Sequence, residues 1–284
     1  MGVRTGLPKM VVTDLDGTVV RSDDTVSGYT HEVLRAVRAA GIPVVGATGR
    51  GPRLTDMSLR DLGPADFMVL AGGGRVLDLT GEPRRRVLRD ARLDGAVLMD
   101  VLARLEAAAG PLSVLVEVLD EADAPLWGDP NPHWRYPDRI QPMERSAALA
   151  GKVIKGFART LGSVRANGAG DPQVDSLLAT ARALVPPEVA TVTQAGLGYV
   201  EICPPEVDKG TGLAVVAEAL GVDPRDVLVF GDMPNDLPMF AWAGYRRVAV
   251  AGAHPAVLRA ADEITLANDD DGVAVYLARL LRAW

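Results

Sequence analysis

The chain has 284 residues, 48% of them hydrophobic and 24% charged, with a formal net charge of −7. That is the make-up of a globular protein with room for two domains, or one domain with a large insertion, and its negative balance argues against a nucleic-acid or anionic-membrane partner. No apolar run approaches the roughly 20 residues of a membrane span, the opening MGVRTGLPK breaks too early for a signal peptide, and a single cysteine, Cys203, excludes an internal disulfide and fits a reducing, cytoplasmic setting.

From residue 10 the run MVVTDL is apolar and β-branched, which predicts a buried strand ending on Asp14 and Asp16, with Gly17 and Thr18 behind them. Residues 27–40 place Val33, Leu34 and Val37 at helical spacing, with Ser27 or Thr30 as N-cap and Gly41 just past the end. IPVVGA is a second strand running into Thr48 and Arg50, Pro52 suits a first helical turn, and FMVL at 67–70 is a third strand. The last third resumes this rhythm: DVLVFGD is strand then turn, PNDLPMFAWAG a short helix closed by Gly244, and RRVAVA a strand. HPAVLRAAD is a helix, EIT a short strand and GVAVYLARLLRA the terminal helix. Alternating strands and helices predict an α/β fold, a Rossmann-like open parallel sheet with crossovers.

Between about 80 and 200 the texture changes. Helical stretches near 94–109 and 172–184 alternate with SVLVEVL, KVIKGFA and ATVTQAG, and residues 120–142 form a loop rich in Pro, Asp and aromatics. This predicts an inserted α/β cap over 81–199, with 1–80 and 200–284 as the core.

In an open parallel sheet, ligands bind at the carboxyl ends of the strands. That edge receives Asp14 and Asp16 from the first strand, Thr48 from the second, and Asp232 and Asp236 from the strand DVLVFG. Clustered carboxylates repel, and a hard divalent cation with oxygen ligands, such as Mg2+, is the usual offset. DLDGT alone is equally readable as an Asp-Gly turn; GDMPND after a second strand tips the balance to a metal-assisted phosphoryl-transfer site. Lys209 stands at a helix start, where a cation opposes the helix dipole and so needs another reason to be there. NDDDG at 268–272 does not have calcium-loop spacing, and AGGGR at 71–75 does not complete a dinucleotide fingerprint, since Leu77 stands where the third glycine belongs.

DLDGT at 14–18, ATGR at 47–50, DKG at 208–210 and GDMPND at 231–236 resemble, in order, the four motifs of the haloacid dehalogenase-like superfamily. The ATGR form, the long insertion and NDDDGVA are most similar to its Cof-type sugar-phosphatase branch. The resemblance implies Asp14 as nucleophile through an aspartyl-phosphate and Asp16 as general acid and base. It implies Thr48 as a hydrogen-bond donor to the phosphoryl group, and Lys209 as the cation beside Asp14. Mg2+ would be held by Asp14, the backbone carbonyl of Asp16 and Asp232. Asp236 would lie in the outer shell or orient Lys209, with Asn235 supporting that network and Arg50 and Asn235 as substrate-binding candidates. The implied substrate is a small phosphorylated metabolite, a sugar or polyol phosphate, with a phosphomutase or a non-catalytic phosphometabolite-binding protein as the alternatives. The candidates for reading the leaving group are Trp127, His133, Trp134, Arg135, Tyr136 and Arg139 in the proline-rich loop; Glu117, Lys152 and Lys155 rank below them. Two departures stand out: Gly72-Gly73 where the branch often has Asn-Gly, and Gly252-Ala253 where it often has Asn-Ala.

Overall fold

The computed structural model describes residues 6–82, 85–130, 139–161, 171–194 and 198–282. The first core segment runs β1 (Met10–Thr13), α1 (Gly28–Ala39), β2 (Val44–Ala47), a 3₁₀ turn at Pro52–Leu54, α2 (Thr55–Leu62) and β3 (Phe67–Leu70), then β4 (Arg75–Asp78) and β5 (Arg86–Asp90). The insertion begins with β6 (Leu93–Asp94), α3 (Gly95–Ala109), β7 (Leu112–Glu117), β8 (Leu126–Gly128) and β9 (Ile140–Pro142). It continues through α4 (Arg145–Ala148), β10 (Lys152–Val153), β11 (Lys155–Thr160), α5 (Pro172–Leu184), β12 (Thr191–Thr193) and β13 (Val200–Cys203). The chain then returns to the core as α6 (Lys209–Leu220), β14 (Val227–Gly231), a 3₁₀ turn at Pro234–Asp236, α7 (Leu237–Trp242), β15 (Arg246–Val250), α8 (Pro255–Ala260), β16 (Glu263–Thr265) and α9 (Gly272–Arg282).

The core sheet has the order β16-β15-β14-β1-β2-β3-β4-β5. Its first six strands are parallel, and β4 and β5 add an antiparallel edge. The expected parallel sheet is therefore present with an extra hairpin. AGGGR and the charged residues after it obscure that hairpin in the sequence, because β5 lies at the sheet edge and alternates too weakly to announce itself. β1 is central and covered on both faces, which is why Met10, Val11 and Val12 are wholly buried and the strand reads as a continuous apolar run. α1 starts where the Ser27 hydroxyl accepts from the Thr30 amide at 3.0 Å, and buries Val33, Leu34 and Val37 at the expected spacing.

The insertion builds a second sheet, β12-β13-β11-β7-β8-β9, with α3 and α5 on one face through Leu98, Leu102, Leu105, Val174 and Leu177. β5, ending at Asp90, pairs in the core sheet, and β13, ending at Cys203, pairs in the second sheet. β8 and β9 lie inside the stretch expected to be loop. Three residues each, they are too short to show a period and are defined only by pairing with a neighbour. Among the described residues, no helix is long and apolar enough to cross a membrane.

Candidate active site

β1 ends at Thr13 and β14 at Gly231, and the two are adjacent, so their following turns share one corner of the sheet's carboxyl edge. Asp14 and Asp232 come from these turns. Their neighbour Asp236 reaches back from the 3₁₀ turn, where its Oδ2 accepts from the amides of Asp232 at 2.9 Å and Met233 at 3.0 Å. Lys209, the first residue of α6, is completely buried; its Nζ donates to Asp14 Oδ1 at 2.5 Å and Asp236 Oδ1 at 2.6 Å. A cation at a helix N-terminus is thus explained by two carboxylates that outweigh the helix dipole. The helix itself is started by Asp208, whose carboxylate accepts from the Thr211 amide while the Thr211 hydroxyl returns to the Asp208 amide.

Asp14, Asp232 and Asp236 each offer a carboxylate oxygen, and those oxygens lie within 4.8 Å of one another. One ammonium does not balance them. Burial pushes the Asp14 carboxyl up from 3.8, the Lys209 ammonium opposes that, and the result is about 7. Burial, then the neighbouring Asp14 and Asp236, hold Asp232 well above the usual carboxylate range. Burial alone would lower the Lys209 ammonium, but Asp14 and Asp236 hold it above its ordinary value. A hard divalent cation fits this site: the donors are all oxygen, the charge is in excess, and the two strained carboxylates converge. Asp236 has both oxygens taken by hydrogen bonds, which suits orienting Lys209 and the turn more than direct ligation.

Asp16 lies apart from this trio. Its side chain is 41% exposed, and Arg50 grips it with two hydrogen bonds, from Nε at 2.8 Å and Nη2 at 2.6 Å, while Arg50 Nη1 binds Asp61 at 2.6 Å. Both carboxylates outweigh burial in raising the Arg50 guanidinium. Arg50, named from the sequence as a substrate-binding candidate, is here committed to two carboxylates and holds Asp16. Thr48 is buried, and its hydroxyl accepts from the Arg50 amide at 3.0 Å. The Thr18 hydroxyl donates to Asp232 at 2.9 Å, a contact that sequence reasoning missed. The threonine of DLDGT was its only signal.

Gly17 is the position where the backbone has no latitude. Its φ is +80°, and a Cβ there would stand 2.5 Å from Asp232 Oδ2. Gly17→Ala is expected to lower stability by about 1–2 kcal/mol from backbone strain, and to weaken divalent-cation binding about tenfold by displacing Asp232. Denaturant titration and calorimetric titration with magnesium measure the two effects separately. The two departures from the branch pattern fall at Gly72, φ +63°, and Gly252, φ +86°, both with open space where a Cβ would go. Asn tolerates that conformation better than other side chains, so Gly and Asn are interchangeable there. Gly73 has no such freedom, because a Cβ would collide with the Asp208 carbonyl at the start of α6.

Among the leaving-group candidates, Trp127 is not brought to the site. It packs with the hydrophobic cluster on the helix-covered side of the second sheet, as its alternation with Gly128 in β8 requires. Arg139 pairs with Asp123 at 3.0 Å. His133, Trp134, Arg135 and Tyr136 lie outside the described residues. Asn235 is buried beside Lys209, and both line a cavity of about 340 Å³ between core and cap, along with Thr191, Thr193 and Glu201. Asn235 Oδ1 has no hydrogen-bond partner among the described residues. The acidic run at 268–272 is structural: Asp269 binds Ser22, and Asp271 binds Arg21 and Thr30, tying the start of α9 to the loop after β1.

An open parallel sheet, an acidic carboxyl edge with a buried lysine, and an inserted cap over that edge define an α/β protein with a cation-competent site. Residues 11–122 and 167–277 match the haloacid dehalogenase-like hydrolase family, and the chain belongs to it. It is 27% identical to the 5-amino-6-(5-phospho-D-ribitylamino)uracil phosphatase YwtE of Bacillus subtilis, covering 96% of this chain and 98% of that one. It is also 27% identical to a phosphoglycolate phosphatase of Methanopyrus kandleri, covering 97% and 98%. The solved structure of BT4131, a subclass IIB sugar phosphatase, shares the fold with a TM-score of 0.74 at 20% identity, over 96% of this chain and 98% of that one. The fold is that of the branch the four motifs resemble.

Proposed function

We propose that this protein is a magnesium-dependent phosphatase acting on a small phosphorylated metabolite, a sugar or polyol phosphate, through an aspartyl-phosphate on Asp14. The observation that carries this reading is Lys209 fixed between Asp14 and Asp236 with Asp232 converging on the same point. Asp14 attacks phosphorus in line, forming the carboxylate–phosphorus bond as the substrate's ester bond breaks. Asp16, entering the step as its carboxylic acid with one Arg50 hydrogen bond given up, passes that proton to the leaving oxygen; as the resulting carboxylate it then takes a proton from the water that hydrolyses the intermediate, which restores the acid. The Thr48 hydroxyl donates to a phosphoryl oxygen, and Lys209 offsets the charge on Asp14 and the transferring group. Magnesium, held by Asp14, Asp232 and the Asp16 carbonyl, would supply further charge neutralisation at the phosphoryl oxygens. A cavity of about 340 Å³ adjoins the site at Lys209 and Asn235, with Thr191 and Thr193 among its lining residues. The named substrates of both relatives are small phosphate esters, which supports this class.

The test is magnesium-dependent phosphate release from an aryl phosphate and then from a panel of sugar and polyol phosphates. A chelator is expected to abolish release, and release that ignores the chelator would count against the reading. A binding measurement goes with it. Asp14 ionises at about 7 in the metal-free protein instead of 3.8, so its burial costs nothing below pH 4. It lowers stability progressively between about pH 4 and 7, and the full cost remains above that. Cation binding competes with that proton, so magnesium should raise the unfolding midpoint more at pH 8 than at pH 5.5. At a hundred times its dissociation constant it stabilises by about 2.7 kcal/mol. Equal shifts at both pH values would remove Asp14 from the ligand set.

A further inference from the structure

Four charges lie buried where the inner face of the cap sheet meets the core, and the chemistry above uses none of them. Lys155 pairs with Glu201 at 2.9 Å and Arg53 Nε faces Glu117 Oε1 at 3.7 Å; all four residues are at most 6% exposed. Val116, Ala158 and Val200 face α3 and α5, so alternation along β7, β11 and β13 points Glu117, Lys155 and Glu201 the other way, toward the core. Removing charges from water is costly, and an apolar contact of the same shape would hold two domains at least as firmly. Adhesion therefore does not account for them.

What they touch is the turn after β2. Its four successive carbonyls are all engaged: Thr48 accepts from the Gly72 amide, Arg50 from Ala71 and Gly51 from Leu54. The fourth, Gly49, accepts from Lys155 Nζ at 2.6 Å. The core's own backbone satisfies three of the four and the cap supplies the last. The Glu117 carboxylate also occupies the space a Cβ on Gly51 would need. Both glycines of the run Thr48-Gly49-Arg50-Gly51 are thus seats for cap side chains. The residues between and before them carry the Thr48 hydroxyl and the guanidinium that grips Asp16.

We propose that Lys155 is a positioning residue of the phosphoryl site: its hydrogen bond to Gly49 completes the turn that sets Thr48 and Arg50, so that the site is fully formed only with the cap seated. The inference rests on the phosphatase reading for the roles of Thr48 and Asp16.

The deciding experiment is hydrogen exchange over residues 48–54, compared between the native protein and the double variant Lys155→Met/Glu201→Met. The double variant removes the pair without leaving Glu201 buried and alone. Its unfolding midpoint is expected to match or exceed the native one, with exchange in 48–54 about tenfold faster, and α3 and α5 unchanged. In parallel, KM for an aryl phosphate and the inhibition constant of orthovanadate should both rise about tenfold, although Lys155 touches neither ligand. The isosteric Glu201→Gln, which keeps the Gly49 bond but loosens the hold on Lys155, should move exchange in the same direction by a smaller factor, and carries the test if the double variant does not fold. Native exchange over 48–54 in a folded variant overturns the proposal. If instead the native protein releases no phosphate, the phosphatase reading fails, while the exchange result still decides the role of Lys155 in forming the turn.

Discussion

Asp14→Asn is expected to abolish phosphate release, with kcat falling by about four orders of magnitude or more, as for loss of a covalent nucleophile elsewhere. The substitution is isosteric, so the Lys209–Asp236 contact at 2.6 Å and the backbone bond from the Asp14 amide to the Phe230 carbonyl at 3.0 Å need not move. An amide has no charge to place on phosphorus, and it removes one of three converging carboxylates. Because burial holds the Asp14 carboxyl at about 7, the metal-free variant should be at least as stable as the native protein at pH 8. Its stabilisation by magnesium should shrink. Loss of activity with stability kept is the signature of a chemical role. Activity within tenfold of native would falsify the assignment of Asp14 as nucleophile. Rapid-quench detection of an acid-stable phosphoryl-enzyme, present in the native protein and absent in this variant, gives an independent check.

Lys209→Met is expected to lose both activity and stability. Methionine keeps the stem but withdraws the ammonium from Asp14 and Asp236, which are left buried together. Removing one partner of a buried ion pair costs about 3–5 kcal/mol, and loss of one charge aimed at the transition state costs about 10²–10³ in kcat. The native ammonium is held above 10.5, so its contribution is present in full below that pH and fades only as pH rises through the folded value. The stability deficit of the variant, measured by denaturant titration, should therefore show no decline between pH 7 and 9. Magnesium should recover part of it by supplying charge to the same carboxylates. A variant as stable as the native protein would mean that the two carboxylates are not held together by Lys209.

The core was readable because its signals are local. β1, β2, β3 and β14 are buried on both faces, so their apolar runs stand out, and Ser27 caps α1 at the position its sequence indicates. The site aspartates were readable because each ends such a run. The hairpin β4–β5 and the short strands β8 and β9 were not readable, since strands of three to five residues at the margin of a sheet, its last two strands, are defined by their partners and carry no period of their own. Trp127 shows the same limit from the other side: an aromatic in a loop-like stretch suggests a ligand contact, and one residue of strand alternation turns it into the cap's own core.

The sequence by itself determined which side chains stand at the carboxyl ends of the core strands, because strand ends and turns are local properties of the chain. Only the tertiary structure decided which charges pair. The family resemblance implied Lys209 beside Asp14, but that Arg50 turns to Asp16 and Asp61, and that Lys155 pairs with Glu201 and reaches 106 positions back to the Gly49 carbonyl, came only with the fold. Electrostatic partners are chosen by distance and burial in three dimensions, where a low dielectric multiplies each contact, and neither quantity is written in the order of residues along the chain.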